Sequence, residues 1–404
     1  MVSSRLQVKR GSVLAVAACT WALGCGSDAT PSTDLPAAGA SGANVGGAGA
    51  GGAGVGGAGA AGTNAGGQTG GGGAAAAGGA SGSAGASAGS AGAGCVTMGT
   101  QADPTATGDG KVHLDPTSGS TYAPAPETLS HINNAPLGKV NGVEVGGKYT
   151  PLIYSAKTQY PGLSQMLKYE YWIYVPAQYK PGCAAALMVF QDGLHYVGID
   201  DAKFNTPTVF DNLIASGDMP VTIALFINPG EPGTGHYDGQ EHDNRSVQYD
   251  TNNENYVKFL VDEFLPENVL GKYAIVTDPD GWGISGHSSG GIAAFMAGWY
   301  RPEKFRKLLT HDASFPNTHN NNGVSLQASI EMSDKKPLRI YLMSGPNDLG
   351  NGSWYNQNTA AATALAAKGY HYQYRTEDSQ HYPPQAGVSD FANALRWMWR
   401  GYKL

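Results

Sequence analysis

From residue 148 onward, short apolar runs alternate with stretches of helical composition. Residues 184–190, Ala-Ala-Ala-Leu-Met-Val-Phe, form an unbroken apolar run. A strand buried on both faces needs such a run, because water reaches neither side of it. Residues 221–227, Val-Thr-Ile-Ala-Leu-Phe-Ile, repeat that character. Residues 168–175 alternate instead, placing Tyr169, Tyr171, Ile173 and Val175 on one face, which predicts a strand with one core-facing side. Residues 149–155 predict an opening strand, and 307–310, 338–343 and 370–375 predict later ones. Helices are predicted over 253–264, 360–368 and 391–399, the last with Leu395, Trp397 and Trp399 available to pack. Strands that alternate with helices predict an α/β fold, a mostly parallel sheet with helices on both faces.

One stretch organises this alternation. Trp282-Gly283-Ile284-Ser285-Gly286-His287-Ser288-Ser289-Gly290-Gly291 reads as a short strand, a tight turn and the start of a helix. Asp278-Pro279-Asp280-Gly281 is a turn signal just before it, and the helix runs through Ile292 and Phe295 until Pro302 stops it. Residues 286–290 fit G-x-S-x-G, the elbow that lifts a serine hydroxyl above a sheet of this kind. In a chain with 59 glycines the pattern alone is weak, and its specificity comes from the strand and helix on its flanks.

Composition then divides the 404 residues. Residues 1–25 read as a signal peptide, with Arg5, Lys9 and Arg10 ahead of an apolar segment. It closes on Ala22-Leu23-Gly24-Cys25, which resembles a bacterial lipobox with Cys25 as the lipidated residue, although leucine more commonly stands where Ala22 does. Residues 26–102 form a Gly/Ala/Ser-rich linker, and between 35 and 102 no residue is charged. Such a tract cannot bury enough apolar surface to offset its ordering entropy, so a flexible tether is expected. An irregular lead-in over 103–137 and a single domain over 138–404 complete the division. Export follows, with a lipid-anchored envelope protein expected and plain secretion or a periplasmic location as the other outcome. Any membrane contact would be through that anchor alone. The net charge of −7 argues against a nucleic-acid surface, which would need a basic patch. In an oxidising compartment Cys95 and Cys183 can pair, but sequence supplies no distance, so two separate thiols are equally compatible.

A serine nucleophile needs a base to take its proton and a carboxylate to orient that base. In this fold the order along the chain is serine, acid, histidine. Among His311, His319, His371 and His381, the last stands in the loop after the final predicted strand, where such a base belongs. Asp348, just past the strand 338–343, is the first choice for the acid. Asp312, one strand earlier, is the second, and Glu377 and Asp378 read as solvated. Oxyanion donors are expected from the backbone N–H of Ser289 and from the loop after Phe190, at Gly193 or Leu194.

Several stretches together resemble one family. They are 171–179 (Tyr-Trp-Ile-Tyr-Val-Pro-Ala-Gln-Tyr), 189–193 (Val-Phe-Gln-Asp-Gly), Asn244-Arg245-Ser246 with Tyr249-Asp250, the elbow, 345–349 (Gly-Pro-Asn-Asp-Leu) and His381. From about residue 161 the chain resembles the esterase family that includes enterochelin esterases, close to the feruloyl and acetyl-xylan esterases of carbohydrate esterase family one. The resemblance implies an α/β-hydrolase fold and a triad of Ser288, Asp348 and His381, acting on carboxylic esters without a metal or organic cofactor. Arg245 falls on a position the family keeps near its site, where it would contact an acidic substrate group, orient the loop or form a structural salt bridge. The residues before His381, Asp378-Ser379-Gln380, depart from the glycines usual in relatives. A small-molecule or carbohydrate-linked ester, a siderophore ester or a feruloyl or acetyl carbohydrate ester, is the expected substrate. Trp354 and Tyr382, with Tyr355, stand near the candidate loops and would stack on an aromatic acyl group or a sugar, or else form apolar wall. An acyltransferase on the same fold and a non-catalytic surface-binding module remain as alternatives. His236, Asp238, His242 and Asp243 crowd one glycine-rich loop, but their spacing matches no firm metal-ligand pattern.

Overall fold

The computed structural model describes residues 95, 110–113, 125–198, 204–239, 242–317, 324–349, 352–376, 381 and 387–404, all within the unit Gly85–Leu404. The signal segment with Cys25, the tether apart from Cys95, and Glu377, Asp378 and Tyr382 lie outside the described residues.

The strands are β1 (Gly110–His113), β2 (Lys139–Val140), β3 (Val143–Glu144), β4 (Leu152–Ser155), β5 (Lys168–Val175), β6 (Ala186–Gln191), β7 (Thr222–Ile227), β8 (Trp282–His287), β9 (Lys307–His311), β10 (Arg339–Ser344) and β11 (His371–Thr376). They form one sheet in the order β1-β11-β10-β9-β8-β6-β7-β5-β2-β3, with β4 also paired to β5. From β1 to β7 in that order the neighbours are parallel, and the pairings of β5, β2, β3 and β4 are antiparallel. This is the mostly parallel α/β sheet that the alternating pattern predicts, and the α/β-hydrolase architecture that the resemblance implies.

Both apolar runs become fully buried strands, β6 and β7. The alternation in β5, by contrast, does not leave a wet face: every residue from Tyr169 to Tyr174 is buried. Tyr169 and Tyr171 pack against Phe259 and Phe264, at ring separations of 4.2 and 5.0 Å, from the helical segments over 255–270. Tyr174 meets Phe210 of the helix Thr206–Ser216 at 5.6 Å on the other side. Helices cover both faces, and two of these tyrosines hydrogen-bond at their polar ends: Tyr171 donates to Asn268 and Tyr174 to Asp211. A tyrosine-rich strand therefore reads as half-exposed while being buried throughout. Near the centre, Phe190 packs against Tyr196, Phe226 and Phe391 at 4.8, 5.2 and 6.1 Å, tying β6 to the closing helix Phe391–Trp399. Such ring pairs add about 0.5–1.5 kcal/mol each beyond the burial of their area.

The lead-in, expected to be irregular, supplies two regular elements instead. β1 extends the sheet beyond β11, and the short helix Pro126–Leu129 is held by Asn212, whose amide donates to the carbonyls of Glu127 and Ser130. Cys95 and Cys183 form a disulfide with their Cα atoms 5.5 Å apart, which settles the question that spacing left open.

One topological feature positions the site. After β6 the chain forms β7 on one side of it, then crosses to form β8 on the other. The carboxyl ends of β6 and β8 thus flank the point where strand order reverses, the crevice in which open α/β sheets carry their ligands. Gln191-Asp192-Gly193 and Ser288 stand on its two sides.

Candidate active site

The elbow forms because the chain must reverse within one residue. Ser288 joins β8 to the helix Ser289–Tyr300 at φ 58°, ψ −127°. A non-glycine residue there costs on the order of 1–3 kcal/mol, and its surroundings must hold it in place. Its N–H donates to the carbonyl of His311 at 3.0 Å, and its carbonyl accepts from Gly291 and Ser314. The flanking glycines are sterically required: a Cβ on Gly286 would lie 2.0 Å from the Gly290 carbonyl oxygen, and one on Gly290 would lie 2.6 Å from Oδ2 of Asp192.

Three side chains meet above this turn. His381 Nε2 lies 3.0 Å from Ser288 Oγ, and its Nδ1 lies 2.7 Å from Asp348 Oδ1. All three residues are buried. An acceptor carboxylate at Nδ1 fixes the tautomer with its proton there, which leaves Nε2 as the acceptor facing the hydroxyl. Asp348 comes from the loop after β10 and His381 follows β11, and these strands are parallel neighbours, so their loops rise side by side. Asp312, the second choice, is fully buried after β9, and its N–H donates to the Met343 carbonyl at 2.8 Å.

Two supporting contacts lie beyond what sequence reading found. Ser314 Oγ is 2.9 Å from Ser288 Oγ, a second hydroxyl on the elbow serine's oxygen. Its only signal in the sequence is its place in the loop after β9, next to the elbow strand. His287, the variable residue of the elbow motif, donates its Nε2–H to the backbone carbonyl of His381 at 2.5 Å. Burial, with His381 alongside, holds His287 well below the ordinary histidine range, so it is a neutral donor. His311 sits deeper, 3.1 Å from the Tyr196 hydroxyl, and burial lowers its pKa to about 3.

On the other side of the crevice the structure corrects two assignments. Arg245, on the helix Asp243–Tyr249, is buried and clamps Asp192 with two hydrogen bonds of 2.8 Å from Nε and Nη2. A guanidinium so engaged orients the loop as a structural ion pair and is not placed as a substrate contact. Asp192 itself is held in the left-handed region at φ 51°. Of the two loop amides expected as oxyanion donors, Leu194 N–H is already given to Asn228 Oδ1 at 2.9 Å. Gly193 opens the helix Gly193–Val197, and only glycine fits, since a Cβ would lie 2.6 Å from the backbone of β7 at Phe226 and Ile227. Ser289 likewise occupies the first position of its helix.

Trp354 stands edge-on to the imidazole of His381, their centroids 4.6 Å apart, while Tyr355 packs against the core. The glycine-rich loop does not gather its four side chains at one point: His242 pairs with Asp238 within the loop, while His236 turns to Glu170 on β5. Among the described residues no group of three or more His, Cys, Asp or Glu is arranged to hold a metal. A cavity of about 400 Å³ lined by Lys307, Arg339 and His371 opens at the amino ends of β9, β10 and β11, the edge of the sheet opposite Ser288.

A strained serine at a strand-to-helix elbow, beside a buried histidine and carboxylate on neighbouring strand ends, defines an α/β-hydrolase site. Residues 166–399 match the family described as "Putative esterase", and the chain belongs to it. Among solved structures it is similar to the enterobactin esterase of Shigella flexneri, at 17% identity over 63% of this chain and 60% of that one, with a TM-score of 0.49. It is also similar to a ferulic acid esterase from the anaerobic fungus Anaeromyces mucronatus, at 13% identity over 69% of this chain and 96% of that one, with a TM-score of 0.50. The match thus spans about 60% of the Shigella protein's length. At 13% identity, the likeness to the Anaeromyces enzyme is one of fold alone. No curated protein sequence matches the chain.

Proposed function

We propose that the chain is an exported serine esterase that cleaves carboxylic esters through an acyl-enzyme. The observation that carries this reading is the hydrogen-bonded line from Asp348 through His381 to Ser288, at 2.7 and 3.0 Å, ending on the elbow serine. Ser288 Oγ attacks the ester carbonyl as His381 Nε2 takes its proton. Asp348 stabilises the imidazolium that forms. The N–H groups of Ser289 and Gly193, each at a helix start across the crevice, serve the developing oxyanion. His381 then returns the proton to the leaving alcohol, and water repeats the sequence to free the acid.

The proposed substrate is a small or carbohydrate-linked ester with an aromatic acyl group or a sugar, such as a siderophore ester or a feruloyl or acetyl carbohydrate ester. Trp354 supports this class, since it places an aromatic surface beside the reacting imidazole. Export, with Cys25 as the lipid anchor and 26–102 as a tether, is part of the proposal and rests on the N-terminal sequence.

A panel of nitrophenyl esters, feruloyl sugars, acetylated xylan and a catecholate trilactone tests the reading. Turnover of at least one ester, lost by several orders of magnitude in Ser288→Ala with the fold intact, is the expected outcome. Equal turnover by wild type and Ser288→Ala would refute it. Transfer to added carbohydrate in place of hydrolysis would point to the acyltransferase.

A further inference from the structure

The glycine-rich loop that follows β7 carries histidines and acids that the proposed chemistry does not use. Its buried anchor is Glu170 on β5, which is 6% exposed. One carboxylate oxygen of Glu170 accepts from His236 Nδ1 at 3.0 Å. The other accepts from Asn228 Nδ2 at 3.1 Å and from the Tyr237 N–H at 3.3 Å. Asn228, which follows β7 directly, is fully buried, and its backbone N–H also donates to the Glu170 carbonyl at 2.9 Å. With its amide nitrogen directed to Glu170, its side-chain oxygen is turned the other way, to the N–H of Leu194 at 2.9 Å.

We infer that Glu170 and Asn228 are positioning residues that set the place of the oxyanion loop, Asp192-Gly193-Leu194, relative to the elbow. The inference rests on the esterase reading above and adds to it the part of the site that fixes this loop from below.

Donor and acceptor chemistry leaves one orientation. A carboxamide presents an acceptor on one side and two donors on the other. The Glu170 oxygen facing Asn228 already accepts from the backbone N–H of Tyr237, so it meets Asn228 as an acceptor and turns the amide nitrogen toward itself and the oxygen toward Leu194. The loop is then held at two points: Arg245 clamps Asp192 on one side of Gly193, and Asn228 holds Leu194 on the other. Between them lies the glycine whose missing Cβ allows the loop to rest on β7. The same carboxylate takes His236 and Tyr237, so the glycine-rich loop is tied to the frame that fixes Gly193. A displacement of about 1 Å in a catalytic group is enough to cost on the order of a hundredfold in rate.

The test uses the full-length protein and an activated nitrophenyl ester. Asn228→Ala is expected to lower kcat by about ten- to a hundredfold and leave KM within about twofold, counted per folded molecule by near-ultraviolet circular dichroism. Asn228→Asp sets a second carboxylate against Glu170 and should be similarly impaired. The exchange Glu170→Gln with Asn228→Asp reverses the polarity of their hydrogen bond and keeps an acceptor for Leu194 N–H, at the expense of the Tyr237 N–H that the same Glu170 oxygen serves, and should recover kcat above Asn228→Asp alone. That recovery is a result that mere loss of stability does not produce, and the exchange keeps the test alive if Asn228→Ala does not fold. A kcat for Asn228→Ala within about twofold of wild type, or an exchange no better than Asn228→Asp alone, overturns the inference. Ser288→Ala run in parallel separates the two readings, since an active Ser288→Ala sinks the esterase mechanism itself, whereas its inactivity beside a fully active Asn228→Ala sinks only the positioning role.

Discussion

Asp348 and Asp312 both stand just past strands of the same sheet, β10 and β9, so chain order alone admits either as the acid. In the structure it is Asp348 that lies 2.7 Å from His381 Nδ1, and its proposed role as the acid has residue-level consequences. In Asp348→Asn the imidazole loses its counter-charge and can adopt the wrong tautomer. Loss of the acid from the triad of a serine protease costs about 10⁴ in turnover. We expect Asp348→Asn to lower kcat on an activated ester by at least about a hundredfold with little change in KM. Asp312→Asn should stay within about tenfold of wild type. The reverse ranking, measured by steady-state kinetics, would move the acid one strand earlier. That Ser288, His381 and Asp348 come together was legible from order and loop position, because each lies beyond a recognisable strand. Ser314, Asn228 and Glu170 were not, because a polar residue that acts through a buried contact has no periodic signature. Arg245 was legible as important but not in its role, since only the partner, Asp192, distinguishes a substrate contact from a loop clamp.

At the scale of elements, the apolar runs translated directly: 184–190 and 221–227 became β6 and β7 within two residues at each end. The helix 391–399 agrees at both ends with Phe391–Trp399, since its apolar positions face the core at helical spacing. β5 misled because tyrosine counts as polar at its hydroxyl and apolar everywhere else. β1 was missed because four residues, Gly-Lys-Val-His, carry too little pattern to signal a strand that exists only through pairing with β11. β9 carries an element-level prediction through its last residue, His311. Its folded pKa, lowered by burial to about 3, lies below the value of about 6.5 for an unfolded histidine. Between those values the unfolded chain takes up a proton that the folded one refuses. Stability from this group is therefore complete above about pH 6.5 and is lost as pH falls toward 3, by about 1.4 kcal/mol per pH unit. His287, also held low by burial, acts in the same direction. Thermal unfolding should show Tm falling as pH drops from 6.5 to 4, with a shallower slope in His311→Gln. A slope unchanged in that variant would mean that the buried imidazole is not the proton acceptor.

For the whole molecule, the proposed division into an N-terminal leader, an uncharged tract and a folded domain rests on composition, and the sheet of the described unit follows from alternation. What composition could not supply was the outline of the folded unit, because β1, the helix Pro126–Leu129 and Cys95 join it from segments with no hydrophobic periodicity. The disulfide closes a loop across a sequence separation of 88. Its removal should cost about 2–4 kcal/mol by constraint of the unfolded chain. Cys183→Ser is thus expected to lower Tm by about 5–10 °C while leaving kcat on a soluble ester unchanged, because Cys183 precedes β6 at its amino end, away from Ser288. An unchanged Tm would show that the bridge constrains nothing the fold depends on.

Ser288 is proposed as an activated nucleophile, and covalent labelling reads this without knowledge of the physiological ester. A fluorophosphonate probe reacts with a serine whose proton an adjacent base removes. Incubation with the full chain, followed by peptide mapping with mass spectrometry, should place one adduct on Ser288, and labelling should disappear in Ser288→Ala and slow by orders of magnitude in His381→Ala. An adduct on Ser289 or elsewhere, or no adduct on folded protein, would contradict the account.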